Sequence, residues 1–214
     1  RRSATMEKDQ TYALYNLTQE QLARTLMPVG EYSKDRIREM ADEIGLLVAH
    51  KPDSQDICFV PDGDYASFIE NTTDQVLPTG NFVTPEGKVL GKHKGIIHYT
   101  VGQRKGLGLA LGYPAFVLEI RPETNEVVIG TYEESLTYTV RANELNFMSV
   151  EQITEPVRIF AKIRYNHKGA WCTVERTGED EIVCTFDEPI RAATPGQAVV
   201  LYDGEYVLGG GTIL

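Results

Sequence analysis

The sequence predicts a mainly β fold that begins with a helical segment and ends in a small antiparallel β-barrel. Apolar residues repeat at helical spacing only early in the chain, and short alternating runs separated by turn residues replace them from about residue 81. The 214 residues include 19 glycines and 10 prolines, which suits a turn-rich β chain. We therefore predict an α+β arrangement with a helical segment over 1–70, a small central β domain over 71–140 and a C-terminal barrel over 141–214.

Two helices are predicted near the N-terminus. Thr18 followed by Gln21 forms a capping box, in which each side chain bonds the other residue's backbone N–H. A second helix begins at Ser33 and ends at Gly45, a residue suited to the left-handed position after a helix. Its apolar residues recur on one face: Ile37, Met40, Ala41 and Ile44. The apolar run 46–49 then predicts a short strand, and the alternation of helix and strand is typical of the tail of an α/β domain.

Paired strands are predicted for the rest of the chain, each pair flanking a turn sequence. A helical turn over 65–70 precedes them. The predicted pairs are 81–83 with 88–90, 115–121 with 126–130, 171–175 with 182–186, and 198–202 with 206–210. The run 157–164 alternates apolar and polar residues, as expected for a strand with one buried face.

Composition and charge limit the function classes. With 42% hydrophobic residues the chain can build a core, and it has neither an apolar run long enough for a membrane span nor a signal peptide. Three cysteines without a C-x-x-C spacing favour a reducing compartment, so we expect a cytoplasmic protein that does not bind membranes. The net charge of −10 argues against nucleic-acid binding through overall basicity. Any RNA-binding residues must therefore be gathered on one face.

Cys58 is the candidate catalytic residue because it follows a short polar run that suits an exposed turn. A thiol acts as a nucleophile or sulfur carrier only when it can ionise and be reached. Asp53 and Asp56 oppose this by raising the thiol pKa, so a reactive Cys58 needs a compensating donor. The alternative is a small buried hydrophobic residue, which is also the interpretation we favour for Cys172 and Cys184 on neighbouring predicted strands.

Other polar residues suit RNA contact, although each also has a structural interpretation. Arg164 and Tyr165 place a guanidinium beside an aromatic ring, which suits phosphate binding and base stacking. The structural alternative is the end of a strand with an extended arginine side chain. Gln197 follows a tight Pro-Gly turn and is either a base-edge contact or a turn residue. The glycine-rich run 102–108 matches no phosphate-loop pattern and favours a basic loop that faces RNA or another domain. The four histidines lack metal-ligand spacing, so we predict no metal site.

A family resemblance adds to this interpretation. Four sequence blocks in order resemble the tRNA-specific 2-thiouridylases, enzymes that replace O2 of the wobble uridine by sulfur. The blocks are Lys8-Asp9-Gln10-Thr11-Tyr12, Lys51-Pro52-Asp53-Ser54-Gln55-Asp56-Ile57-Cys58-Phe59, Gly91-Lys92-His93-Lys94-Gly95 and Tyr99-Thr100-Val101-Gly102-Gln103-Arg104-Lys105-Gly106-Leu107. The chain lacks the family's S-G-G-x-D-S phosphate loop and first catalytic cysteine. It is therefore similar to the C-terminal part of such an enzyme, with the helical segment as the tail of the catalytic domain.

The resemblance implies a role for several residues. Cys58 would receive sulfur as a persulfide from a cysteine desulfurase or a sulfur-relay protein and pass it to C2 of the uridine. Lys8, Asp9 and Gln10 would lie near the tRNA. ATP and Mg²⁺ would be bound by the absent N-terminal domain, so we expect no cofactor in these 214 residues and no activity from them alone. The rival hypothesis is a non-catalytic RNA-binding or translation-factor-like β-barrel module with a structural Cys58.

Overall fold

The computed structural model describes residues 1–4, 9–51, 60, 63–73 and 78–214. Lys8 and Cys58 lie outside the described residues. The chain divides into two units, one formed by Arg1–Lys51 with Thr137–Leu214, and the other by Pro52–Leu136. We call these the barrel unit and the central unit. No helix of the described residues is long and apolar enough to cross a membrane.

The helices of the barrel unit are α1 (Thr11–Leu14), α2 (Gln19–Ala23) and α3 (Lys34–Glu43), and α4 (Tyr65–Thr72) lies in the central unit. Both predicted helix starts are confirmed. Thr18 and Gln21 form the reciprocal capping box of α2, and the Ser33 side chain accepts a hydrogen bond from the Arg36 backbone N–H at the start of α3.

The end of α3 follows from its sequence. Gly45 adopts a φ of 71°, where a side chain would be strained, and its N–H bonds the Asp42 carbonyl. The Leu46 N–H bonds the Ala41 carbonyl, which completes a Schellman motif. The short strand predicted over 46–49 is wrong, because these residues form turns. Their apolar side chains have no neighbouring strand among the described residues that would pair with them.

The central unit contains a sheet of four strands: β1 (Gly80–Val83), β2 (Val89–His93), β3 (Phe116–Arg121) and β4 (Glu126–Gly130). Their order is β2-β1-β4-β3. Both predicted hairpins are present, and β1 also pairs in parallel with β4. Two 3-10 turns, Ile96–His98 and Glu133–Ser135, lie in the connections. The apolar core of this unit includes Phe82, Tyr99, Val117, Val127 and Ile129.

The barrel unit contains the closed barrel that the sequence predicted. Its strands are β5 (Leu136–Phe147), β6 (Val157–Lys162), β7 (Ala170–Gly178), β8 (Glu181–Arg191), β9 (Ala198–Asp203) and β10 (Tyr206–Ile213). They close in the order β10-β5-β8-β7-β6-β9. The mainly β fold class with a C-terminal antiparallel barrel is therefore confirmed.

The barrel core follows the predicted alternation. Ile159, Ala161 and Ile163 are buried, whereas the intervening side chains of β6 lie on the outer face. Cys172 and Cys184 are fully buried in the same core, as predicted. The outer face of β6 therefore carries Lys162, which belongs to the site described next.

Candidate nucleic-acid interface

The N-terminal segment 9–17 lies against the outside of the barrel. The Tyr12 hydroxyl donates a 2.7 Å hydrogen bond to the carbonyl of Ala198 in β9. From β5, the Asn146 amide donates to the carbonyls of Tyr15 at 2.6 Å and Leu17 at 3.1 Å. Tyr12 is 8% exposed and packs with Val200, Tyr202 and Val207. Burial raises the pKa of Tyr12 to about 12, so this phenol remains neutral as it holds the segment in place.

Asp9 is buried and organises the start of this segment. Its carboxylate accepts hydrogen bonds from Arg2 Nε at 2.9 Å, from the Thr11 hydroxyl at 2.9 Å and from the Thr11 N–H at 3.1 Å. Burial raises the pKa of Asp9, but the hydrogen bonds from Arg2 and Thr11 outweigh that effect and hold the pKa below its usual value. A carboxylate engaged in this way fixes the direction in which the next residue, Gln10, leaves the barrel.

Gln10 and Tyr165 meet although 155 residues separate them. The Gln10 Nε2 donates a 3.1 Å hydrogen bond to the Tyr165 hydroxyl. The Tyr165 ring also packs edge-on against Tyr12, with ring centroids 6.3 Å apart. Tyr165 remains 38% exposed, so one part of its ring is held by neighbours while the rest faces solvent. This is a suitable platform for a stacked base.

Lys162 supplies a cation beside this platform. Its Nζ lies 5.7 Å from the Tyr165 ring centroid and 5.9 Å from that of Tyr12, within the range of cation–π attraction. Burial lowers the pKa of Lys162, the charge of Arg2 lowers it further, and the carboxylate of Asp9 raises it. The lysine reaches this position because alternation along β6 places it on the outer face.

Arg164 is partly committed to the protein itself. Its Nη1 donates to the carbonyl of Arg191 at 2.9 Å and to that of Ala192 at 3.3 Å. Ala192 has a φ of 57°, which is unusual for a residue other than glycine. Arg164 therefore ties the end of β6 to the connection that follows β8, and the rest of its guanidinium remains for an anion.

Gln197 lies in the turn that leads into β9. Its carbonyl accepts from the Ile213 N–H at 2.7 Å, and its N–H donates to Thr194 at 3.0 Å. The side chain is exposed. It precedes Ala198, whose carbonyl anchors Tyr12, so Gln197 lies next in sequence to the residue that holds the N-terminal segment. Of the five predicted tRNA-binding residues that the structure describes, Gln10 and Tyr165 are in direct contact and Asp9 lies next to Gln10 in the chain. Arg164 instead bonds the carbonyls of Arg191 and Ala192, and Gln197 is connected to the segment only through its neighbour Ala198.

Sequence reasoning missed His167. Its Nδ1 is buried and has no hydrogen-bond partner among the described residues. Burial lowers the pKa of His167 to about 4, with help from the charges of Arg164 and Lys162. The ring is therefore neutral at pH 7. A lone histidine after a strand end gives no signal of this kind in a sequence, because the burial that produces it depends on the folded turn.

Comparison with known proteins assigns a family to this arrangement. Family models described as a tRNA methyl transferase HUP domain, a tRNA methyl transferase PRC-barrel domain and an aminomethyltransferase β-barrel domain match residues 1–62, 66–131 and 137–213. A curated relative from Lachnoclostridium phytofermentans, named tRNA-specific 2-thiouridylase MnmA, is 63% identical over all 214 residues. The chain belongs to the tRNA-specific 2-thiouridylase family.

Other 2-thiouridylases match at similar length. The MnmA proteins of Clostridioides difficile and Acetivibrio thermocellus are 52% and 53% identical over 213 residues, and these matches take in the whole of this chain. The chain covers 60% of the Lachnoclostridium relative and 59% of each of the other two. The activity and substrate of the intact enzymes are therefore proposals for this 2-thiouridylase chain.

The described thiols of this 2-thiouridylase chain are unsuited to sulfur transfer. Cys172 and Cys184 lie on β7 and β8 with no exposed surface. The Cys172 thiol contacts the Ile159 carbonyl at 3.6 Å. A hydrogen bond with Cys172, together with burial, raises the pKa of Cys184 well above its usual value. Neither thiol has surface that a partner could reach, which leaves Cys58 as the remaining cysteine of the chain.

The expectation that these residues hold no cofactor stays a prediction. Within the described ranges, no group of three or more His, Cys, Asp or Glu side chains could hold a metal ion. The matched HUP-domain segment, residues 1–62, contains no S-G-G-x-D-S phosphate loop.

Proposed function

We propose that this chain forms part of a tRNA-uridine 2-sulfurtransferase and that the outer face of its barrel unit binds the tRNA. The observation that carries the proposal is the joint placement of Gln10, Lys162 and Tyr165. An amide, a cation and a half-exposed ring converge from two distant segments. These are the groups that recognise an unpaired nucleotide by stacking, base-edge hydrogen bonds and charge.

An acidic protein can bind RNA at such a site because the interaction is local. The net charge of −10 repels RNA at long range, but salt screens exposed charges beyond about 8–10 Å. At closer range an RNA phosphate would meet Lys162 and Arg164, whereas Arg2 is engaged by Asp9. The Asp9 carboxylate is only 8% exposed and already accepts hydrogen bonds from Arg2 and Thr11, so its repulsion is reduced. Binding should be modest and should depend on few phosphate contacts.

Cys58 is the proposed sulfur carrier. A cysteine desulfurase or sulfur-relay protein would leave a sulfane sulfur on its thiol, and that sulfur would attack C2 of the wobble uridine as the activated C2 oxygen leaves. The thiol of the family's first catalytic cysteine, outside these 214 residues, would then cleave the S–S bond, which leaves sulfur on C2 and a disulfide between that cysteine and Cys58. A cellular thiol reductant would restore the two thiols. Support comes from the family and from the buried state of the other two thiols. Activation of the C2 oxygen by ATP is proposed for the part of the intact enzyme outside these 214 residues.

The proposal is tested in a chimera in which this chain replaces the matching 60% of the Lachnoclostridium relative. The measurement is 2-thiouridine in tRNA from cells that lack their own enzyme. Cys58→Ser should abolish the product while leaving tRNA affinity unchanged, because a hydroxyl cannot carry sulfane sulfur. Cys172→Ala, the matched control, should lower stability but preserve turnover per folded molecule. A Cys58→Ser chimera that still makes 2-thiouridine near the parental rate refutes the role of Cys58.

The second candidate is a non-catalytic RNA-binding module. It is favoured by one specific observation, because the contacts among Gln10, Lys162 and Tyr165 already form a surface suited to an unpaired nucleotide. The same chimera separates the two functions. For a binding module, tRNA affinity falls when Tyr165 is replaced, but 2-thiouridine never depends on Cys58.

A further inference from the structure

The central unit has a concave surface of its own. A depression of about 230 Å³ lies between the loop that follows the 3-10 turn Ile96–His98 and the start of β3. Leu107 and Ala115 are buried and form its floor, while Arg104 and the 48% exposed Tyr113 line its edge. An apolar floor with a cation and a ring at the edge is a common composition for a small binding site.

The loop beside this depression is held in place by its own hydrogen bonds. The Gln103 side chain accepts from the Thr100 N–H at 3.0 Å and donates to the Lys105 carbonyl at 2.9 Å. The backbones of Gly102 and Gln103 exchange hydrogen bonds of 2.8 and 2.9 Å with Val117 in β3. Arg104 and Lys105 therefore extend from a fixed turn, and little backbone entropy is lost when they meet a ligand.

These two cations are not neutralised within the part of the central unit that the structure describes. Arg104 and Lys105 are exposed, and neither forms an ion pair with a described residue. The close acid–base contacts of this unit involve other side chains: His98 with Glu70, and Arg121 with Glu119 and Glu126. In a chain with a net charge of −10, two adjacent unpaired cations indicate an anionic ligand.

We propose that this depression binds one unpaired nucleotide of the tRNA, with a phosphate on Arg104 and Lys105 and the base or ribose against Tyr113. The inference rests on the proposed function, since that function supplies the RNA, but it concerns a surface of the other unit. Arg104 provides a planar fork that suits phosphate oxygens, and Lys105 adds a point charge. Gly106 and Gly108 have φ values of 76° and 68°, which favour glycine. Because glycine has no side chain, nothing at these two positions keeps a nucleotide at a distance.

A nucleotide fits these observations better than a protein surface does. The depression has room for a small planar group, and its apolar floor is too limited to supply the large buried core that a stable protein interface needs. The adjacent cations and the exposed ring are instead the usual components of single-strand RNA binding. Docking of another protein at this face becomes an outcome of the test.

The test measures tRNA binding by the 214-residue chain over a range of salt concentrations. Replacing Arg104 and Lys105 together by alanine should flatten the plot of log affinity against log salt by about 0.7, the contribution of one phosphate contact on a single strand. Tyr113→Ala should weaken binding about 5- to 150-fold, as expected for the loss of one stacked base, whereas Tyr113→Phe should bind like the parent.

Lys92→Ala is the matched control. Gly91 faces the depression, since a Cβ on it would lie 2.9 Å from Leu109 Cδ2, so alternation along β2 directs Lys92 to the opposite side of the sheet. The Lys92→Ala substitution removes an exposed lysine of the same unit and should leave the salt dependence of tRNA binding unchanged. Ultraviolet crosslinking of bound tRNA, mapped by mass spectrometry, should give an adduct at Tyr113.

The outcomes separate this inference from the proposed function. If Tyr165→Ala weakens binding but the Arg104, Lys105 and Tyr113 variants do not, the barrel site stands and the depression is not a nucleotide site. If the Arg104, Lys105 and Tyr113 variants weaken binding but Tyr165→Ala does not, the depression binds RNA and the proposed barrel site is wrong. Loss of 2-thiouridine in the chimera without any loss of tRNA binding overturns the inference in favour of a protein-docking face.

Discussion

Tyr165 gives the most direct test of the barrel site. In Tyr165→Ala the half-exposed ring is lost, together with its cation–π contact to Lys162 and the hydroxyl that accepts from Gln10. Loss of one stacked base costs about 1–3 kcal/mol, which corresponds to a 5- to 150-fold rise in the tRNA Kd. The free energy of unfolding should change by no more than about 1 kcal/mol, because the ring is 38% exposed and its hydrogen bond is at the surface.

Two further variants separate the ring from its hydroxyl. Tyr165→Phe keeps the ring and its contact with Lys162 but leaves the Gln10 amide without its partner. We expect about a 2- to 10-fold loss of affinity, the value of one hydrogen bond of about 0.5–1.5 kcal/mol that holds the ring in position. Adding Gln10→Ala to Tyr165→Phe should cost little more if the amide acts only through this bond, and the double-mutant cycle measures that coupling.

The assay is fluorescence anisotropy of labelled tRNA at one fixed salt concentration, since affinity for RNA depends strongly on salt. The control is Tyr138→Ala, which removes a 56% exposed tyrosine from β5 of the same unit. Circular dichroism melting confirms that both variants fold. Equal tRNA affinities for Tyr165→Ala and Tyr138→Ala would show that the surface formed by Gln10, Lys162 and Tyr165 does not bind RNA.

Three other predictions concern reactivity, pH and packing. Cys172 and Cys184 should react with iodoacetamide only on unfolding, whereas Cys58 should react in the native chain; mass spectrometry of quenched samples checks this, and equal rates would remove the distinction among the thiols. Because the folded pKa of His167 is lowered to about 4, unfolding takes up a proton between pH 6.5 and 4, so stability falls as pH decreases through that window. After a discount for partial exposure the loss should be about 1–2 kcal/mol by pH 4, and urea unfolding of His167→Gln should lack that component. Gly209→Ala should cost about 3 kcal/mol or more in chemical unfolding, because its φ is 153° and the new Cβ would overlap the backbone of β5; an unchanged midpoint would contradict the closed pairing of β10 with β5.

The helix starts and the hairpins were predictable because local patterns specify them. The capping box at Thr18 needs only a residue three positions away, and the alternation in β6 needs only one buried face. Strand β5 was not assigned, although it has 12 residues. Its first residues do alternate, with Leu136, Tyr138, Val140 and Ala142 separated by polar residues, and this signal was overlooked. The alternation stops at Glu144, whose φ is 51°, and closure of the barrel with β5 between β8 and β10 gives the whole strand its place.

Some features of the candidate site were also predictable from the sequence, and others became visible only in the folded chain. From the sequence, Arg164 and Tyr165 already suggested RNA contact, and the alternation along β7 and β8 suggested that their two cysteines are buried, because residue type and local spacing carry that information. Only the tertiary structure brought Gln10 to Tyr165, committed one nitrogen of Arg164 to backbone carbonyls and buried Nδ1 of His167. Contacts across 155 residues depend on how the N-terminal segment lies on the barrel, and that packing is a property of the whole chain that no short pattern contains.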